Sequence, residues 1–283
     1  MQDALLRAIP QLRDAGIDDA PRDARVLLAH ALGILPDRLT LHLPDEMTAP
    51  QARAYEEALV ARMTRQPVAQ IIGQRLFWGL AFRVTRDTLD PRPETETLVA
   101  EALRQPFTRL LDLGTGTGCI LLACLHDRPL AQGTGIDLSP AALAVARANA
   151  DALGLSDRAR FVQSDWFSAV AGTFDLILAN PPYIAASEMP DLAPEVREWE
   201  PALALSPGGD GLDAYRVIAR DAGRHLLPGG RLLVEIGPTQ ARAVQDLFAA
   251  AGLVGCRVVA DMDGRDRVIA ARAPAEADPH GAA

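Results

Sequence analysis

Asn180, Pro181, Pro182 and Tyr183 follow directly on the apolar run Phe174–Ala179. Proline has no N–H, so this turn offers backbone carbonyls with few competing donors, and Asn180 adds a side-chain carbonyl. Such a turn suits a planar, neutral NH₂ group: one hydrogen goes to the Asn180 side chain and the other to the Pro181 carbonyl, with Tyr183 stacked alongside. Amide and aromatic amine nitrogens are poor nucleophiles because their lone pair is delocalised. Holding both hydrogens aims the nitrogen at an electrophile and stabilises positive charge as it develops there. Hydrogen bonds to a charged group contribute roughly 1.5–3 kcal/mol each, so two supply about 10²–10⁴-fold in rate. The chemistry requires neither a metal nor a strong base. Asn180, Pro181 and Tyr183 are therefore the candidate catalytic residues, and Pro182 joins them in binding the substrate.

The electrophile is read from three other strand ends. "LLDLGTGTGCILLACL" is strand, glycine loop and helix, in which Gly114, Gly116 and Gly118 allow close approach to a ligand. Asp137, in "GIDLSP", lies about 20 residues further on, where an acid takes the two ribose hydroxyls of an adenosine ligand. Ser139 and Pro140 read as the cap and first residue of the helix that follows. In "QSDWF", Asp165 can accept from an adenine amine and Trp166 can cover the ring. An adenosine cleft beside an amine-orienting turn points to S-adenosyl-L-methionine, with S-adenosyl-L-homocysteine as product. The candidate cofactor residues are Asp112, Gly114, Thr115, Gly116, Thr117, Gly118, Asp137, Asp165 and Trp166, with Asn180 shared. No residue suggests itself for the hydride route that a nicotinamide would need.

The elements that must position these residues alternate from residue 109 onward. The strands read as "RLLDL", "GTGID", "ARFVQ", "FDLILA", "RLLVEIG", "VGCRVVA" and "RVIAAR", with helices between most of them. This predicts an α/β, Rossmann-like seven-stranded sheet, mostly parallel and covered on both faces. The last two strands are separated only by "DMDGRD", so they close as a C-terminal antiparallel hairpin. Residues 1–72 read as a small all-α N-terminal domain: the runs "ALLRAIPQLRDAG", "APRDARVLLAHALG" and "TAPQARAYEEALVARMTRQP" show helical spacing, with Thr48 a cap and Pro67 a stop. Residues 73–90 are expected to form a β-hairpin linker, 91–273 the methyltransferase domain and 274–283 a disordered tail.

Composition narrows the function. The 283 residues carry a net charge of −9, which argues against a whole-protein grip on nucleic acid. All 28 Lys/Arg positions are Arg, a bias that carries no function. Cys119, Cys124 and Cys256 make no metal-ligand pattern, and the expected metal content is none; a reducing cytoplasm suits them. His30, His42, His126 and His225 read as packing or surface residues. No apolar run spans a membrane, and the N-terminus lacks the pattern of a signal peptide.

The ordered set of motifs resembles the bacterial release-factor glutamine N(5)-methyltransferases, the PrmC/HemK family. The set comprises "PVAQIIGQRLFWGLAF", "LDPRPETETLV", "LLDLGTGTG", "QSDWFSA", "ILANPPYI", "EPALAL", "LLPGGRLLVEIG" and "DMDGRDRVIAAR". The resemblance implies a class I S-adenosylmethionine-dependent fold. It also implies methylation of the glutamine amide in the Gly-Gly-Gln motif of class 1 peptide chain release factors, in the cytoplasm. By the same likeness Asn180 to Tyr183 hold the glutamine, "PRPETE" with Arg92 and Glu94 lines the cleft, and the N-terminal helices dock the release factor. The alternative is a DNA amino-methyltransferase, whose exocyclic amines fit the same cradle. It would need many phosphate contacts, and the segment after the turn, "IAASEMPDLAPEVREWEPALALSPGGDG", is acid-rich. A non-catalytic adaptor and an NAD-dependent oxidoreductase are weaker alternatives. "EPALALSPGGDG" is read as a lid or a connecting loop, with Glu200 buttressing the turn.

Overall fold

The computed structural model describes residues Met1–Ala275 and divides into two compact units. One comprises Met1–Gln74 with Leu192–Trp199, the other Arg75–Asp191 with Glu200 onward.

The first unit contains helices α1 (Gln2–Asp14), α2 (Ala20–Leu32), α3 (Leu39–His42), α4 (Ala49–Met63) and α5 (Val68–Ile72). Their apolar faces meet around Leu12, Leu27, Leu28, Leu39 and Tyr55. The Tyr55 hydroxyl, once buried, needs a partner, and it donates to the Ala24 carbonyl. Thr48 caps α4 in a reciprocal box with Gln51. α4 stops at Met63, short of the expected Pro67, which instead precedes α5.

A later helix, α9 (Pro194–Trp199), belongs to this unit although it lies within the stretch 91–273 that the sequence suggested as one domain. The buried Arg62 donates to Asp23 (2.7 Å) and to Glu195 (3.1 Å), Arg65 pairs with Glu195 (3.1 Å), and the Trp199 indole donates to the Thr64 carbonyl (3.2 Å). Arg62→Met would leave Asp23 without its cation and Glu195 with only Arg65. Both carboxylates keep some solvent, so the loss falls below that of a fully buried pair: about 2–3 kcal/mol. A lowered urea midpoint for the full chain is the measurement.

The second unit opens with a hairpin of β1 (Gln74–Phe77) and β2 (Leu80–Arg83), joined by Trp78 and Gly79, both at positive φ as a primed turn requires. Strands β3 (Arg109–Leu113), β4 (Gln132–Asp137), β5 (Ala159–Gln163), β6 (Phe174–Ala179), β7 (Leu226–Glu235), β8 (Val254–Ala260) and β9 (Asp266–Arg272) form one sheet in the order β5-β4-β3-β6-β7-β9-β8. The first five strands are parallel; β9 runs antiparallel to β8, as the short "DMDGRD" connection predicted, and antiparallel to β7 as well.

Period-two alternation sorts the strand side chains onto two faces. Leu110, Leu176, Leu178 and Leu233 pack with helices α6 (Glu96–Leu103) and α7 (Cys119–Asp127). Leu111, Leu113, Ile177, Leu232 and Val234 pack with α11 (Asp213–His225) and α12 (Ala241–Ala250). The remaining helices are α8 (Pro140–Ala152) and α10 (Ala202–Leu205). The order reverses at β3, whose neighbours β4 and β6 lead to opposite halves of the sheet. A crevice therefore opens at the carboxyl ends of these strands. The expected disordered tail, 274–283, lies outside the described residues from 276 on; within it, the Pro274 carbonyl accepts from Gly229 N.

Candidate active site

A cavity of about 430 Å³ occupies that crevice, within the usual range for a small-molecule site. Its floor is the glycine loop. Thr115 N donates to the Ile136 carbonyl and Gly118 N to the Thr115 carbonyl, which winds the loop tightly between β3 and α7. Gly114, Gly116 and Gly118 all hold positive φ, which a side chain would resist. The buried Asn149 of α8 fixes the loop from outside by donating to the Thr117 carbonyl (2.9 Å).

β4 delivers Asp137 to the rim. Its carboxylate accepts from Gly116 N and Ser139 N, each at 2.9 Å, so it joins the glycine loop to the start of α8. Ser139 caps α8 as expected, accepting from Ala142 N. Beyond β5, Asp165 and Trp166 line the same cavity, and Trp166 holds φ +48, an uncommon backbone for a bulky residue.

Beneath the loop, Asp112 is fully buried, accepts from the Thr115 hydroxyl (2.6 Å) and leaves Oδ1 without a partner. Burial pushes its carboxyl up to about 7, with the nearby Asp137 charge adding to the rise and the Thr115 bond opposing it. Asp90, also buried, lines the cavity with Oδ1 unpartnered, and burial raises its carboxyl too.

β6 delivers the Asn-Pro-Pro-Tyr turn. Asn180 and Pro182 line the cavity; Pro181 is buried behind them. Asn180 Nδ2 donates to the Thr95 hydroxyl (3.2 Å). Tyr183 faces away from the cavity lining and packs on the β6–β7 side of the sheet, its carbonyl taken by Gln240 Nε2 (2.9 Å). A side chain at Gly211, which stands at φ +80, would come within 2.4 Å of that carbonyl. Burial raises the Tyr183 hydroxyl, with Glu235 adding to the rise; Arg267 and Arg92 oppose it.

Of the other expected substrate residues, Arg92 lines the cavity and Glu94 does not. Arg92 Nη2 reaches both oxygens of the buried Glu200 at 2.7 Å. Glu200 thus grips the "PRPETE" segment and not the turn it was expected to buttress. Burial pushes its carboxyl up to about 7, against the pull of Arg92. The segment read as a lid or a connecting loop contributes a wall: Pro201, Leu203, Ala204, Ser206 and Pro207 line the cavity. It is tied to the irregular segment after the turn, where Ile184 N donates to the Leu205 carbonyl and Ser206 Oγ to the Ile184 carbonyl (2.6 Å).

The lining includes five aspartates (Asp87, Asp90, Asp137, Asp165 and Asp213) but only one arginine, which is already paired. Such a field favours a cationic ligand with hydroxyls over a polyanionic dinucleotide. Among the described residues no group of three or more His, Cys, Asp or Glu is placed to hold a metal ion. No described helix is long and apolar enough to cross a membrane.

Two family models match: the PrmC N-terminal domain over residues 3–73 and the methyltransferase small domain over residues 87–210. A release factor glutamine methyltransferase of Cereibacter sphaeroides is 64% identical over 273 residues, covering 96% of this chain and 98% of its own. The chain belongs to the release factor glutamine methyltransferase family. Its relative of the same description from Rhodospirillum rubrum is 47% identical, covering 93% of this chain and 82% of its own. A solved methyltransferase from Pyrococcus furiosus shares the fold, with TM-score 0.55 at 18% identity over 81% of this chain and 100% of that one. Membership in this family fits the class I methyltransferase sheet and helical N-terminal unit described above.

Thr95 lies within "PRPETE", which was expected to line the cleft, but sequence reasoning missed its bond to Asn180, the role of Asp90 and the Arg92–Glu200 pair. Thr95 and Asp90 both sit in the quoted "LDPRPETETLV", but the contact of Thr95 comes from Asn180, far along the chain, and no local signal marks it.

Proposed function

We propose that this chain transfers a methyl group from S-adenosyl-L-methionine to the side-chain amide nitrogen of a glutamine in peptide chain release factors. The glutamine is that of the Gly-Gly-Gln motif in class 1 factors. The observation that carries the reading is the convergence of Asn180 and the Gly114–Gly118 loop on one acidic cavity of about 430 Å³.

When bound, the cofactor supplies a methyl group on a positively charged sulfonium. The glycine loop and Asp137 hold its adenosine, Trp166 covers the adenine, and Asp165 accepts from the adenine amine. The acidic lining, which includes the unpartnered Oδ1 of Asp90, fits a cationic group in a way that apolar walls would not. Asn180 Oδ1 and the Pro181 carbonyl each accept one hydrogen of the glutamine amide, and Tyr183 fixes the turn from behind. The amide is neutral before reaction and gains positive charge on nitrogen as the bond forms. Fixed carbonyl dipoles therefore stabilise the transition state more than the ground state. The amide's acidity rises sharply once its nitrogen is charged, so the proton leaves to solvent without a strong base.

The test is mass spectrometry of a purified class 1 release factor after incubation with enzyme and S-adenosylmethionine. One added methyl, +14 Da by composition (about one CH₂), on the Gly-Gly-Gln glutamine is expected. Methyl transfer to duplex DNA, with the release factor unmodified, would replace this reading with the amino-methyltransferase one.

A further inference from the structure

The Asn-Pro-Pro-Tyr turn is anchored at both ends. Upstream, β6 is paired on both edges as far as Ala179, with Leu113 and with Val234. Downstream, the hold falls on the peptide unit between Tyr183 and Ile184. Its N–H donates to the Leu205 carbonyl at 3.0 Å, and its carbonyl accepts from Gln240 Nε2 at 2.9 Å. Pro181 and Pro182 stand between the two anchors, and each ring locks its own φ. The Pro181 carbonyl therefore has few free torsions, and its place follows the anchors.

Gln240 precedes α12 as its N-cap, but its side chain makes no cap bond. Glutamine is not among the residues favoured at that position. The side chain runs between two loops instead. Oε1 accepts from Gly237 N at 3.0 Å, and Nε2 donates to the Tyr183 carbonyl, with a longer contact to the Gly211 carbonyl at 3.5 Å. These partners are backbone groups, which cannot exchange donor for acceptor. The carboxamide therefore has one orientation: nitrogen to Tyr183, oxygen to Gly237. The space around it is closed. A Cβ at Gly237 would stand 3.0 Å from Gln240 Oε1 and 3.3 Å from the Tyr183 ring, and one at Gly211 would stand 3.1 Å from Gln240 Nε2.

We infer that Gln240 is a positioning residue for the reaction: it sets the Tyr183 carbonyl and, through the two prolines, the acceptors that hold the substrate amide. The inference rests on the function proposed above and extends it to a residue 57 positions beyond Tyr183. Gln240 does not line the cavity, so it acts through the turn alone.

Two variants of the full-length enzyme test it. Gln240→Glu keeps the size and the acceptor for Gly237 N, but turns an oxygen toward the Tyr183 carbonyl. Gln240→Met keeps the length and loses both bonds. The readouts are kcat and KM for release-factor methylation, cofactor affinity by calorimetry, and a thermal melt. Rates are measured well below the melting temperature and at about pH 8.5, far above the ordinary glutamate range, so that the new carboxylate is charged. Both variants should lower kcat about 10–100-fold, the scale of a small misplacement at a reacting centre. Gln240→Glu should lose at least as much as Gln240→Met, because two acceptors then face each other. Cofactor affinity should not change, since the bonds of Asp137 to the glycine loop and to the start of α8 do not involve Gln240.

Wild-type kcat in a folded Gln240→Met enzyme would assign the side chain to packing alone. Wild-type kcat in a folded Gln240→Glu enzyme would assign it to Gly237 N alone. Either result overturns the proposal, as does a loss of cofactor affinity in step with kcat, the mark of a general loosening. If one variant does not fold, the other decides. The wild-type control separates the two levels: wild-type enzyme that leaves the release factor unmethylated defeats the function itself, whatever the variants do.

Discussion

Asn180→Ala is expected to lower the rate of release-factor methylation by about 10²–10³-fold, the usual cost of removing one preorganised group from a site of developing charge. S-Adenosylmethionine should still bind, because the glycine loop and Asp137 are held by bonds that do not involve Asn180. The loss should be incomplete, since the Pro181 carbonyl belongs to the backbone and survives every side-chain substitution. Single-turnover kinetics separate the two effects, and a variant with near-normal turnover would remove Asn180 from the mechanism. Asn180→Asp is a sharper probe. It keeps an acceptor for the substrate but loses the N–H that Thr95 receives. Only part of the activity should remain.

Asp137→Ala is expected to weaken cofactor binding by about 10–150-fold, the equivalent of roughly 1.5–3 kcal/mol for hydrogen bonds to a charged group. Two losses contribute. The ribose hydroxyls lose their acceptor, and Gly116 N and Ser139 N lose the carboxylate that sets the loop against α8. Isothermal calorimetry measures the affinity. Under saturating cofactor kcat should recover, because Asp137 does not hold the amide; unchanged affinity would contradict the ribose role.

The sheet was legible in the sequence because its signals are local. "RLLDL", "ARFVQ", "FDLILA" and "VGCRVVA" coincide with β3, β5, β6 and β8 residue for residue. Each is a short run rich in apolar or β-branched residues and ended by a turn, so it carries its own boundaries. The caps at Thr48 and Ser139 were legible for the same reason. β7 is longer than "RLLVEIG" suggested, starting at Leu226, because Leu226 pairs with Phe174 before a register shift, and no pattern within "LLPGG" announces that pairing. In the site, the glycine loop, Asp137, Trp166 and Asn180 could be named from motif spacing. Their supports could not. Asn180 and Thr95 are 85 positions apart, and the partner of Arg92 stands 108 positions away. Such contacts exist only once the fold has closed. Tyr183 shows the limit from the other side: its motif implied an open stacking face, whereas the ring sits against the sheet and the cavity is lined without it.

The membership of Leu192–Trp199 in the helical unit changes how that unit can be removed. Cutting the gene at codon 75 would not excise an autonomous module. The surviving fragment would still carry Glu195 stripped of both its arginines and Trp199 without the Thr64 oxygen that its indole seeks. Sluggish methylation by such a fragment would then report these lost contacts as much as a missing recognition surface. A clean dissection also replaces the octapeptide by a short neutral bridge.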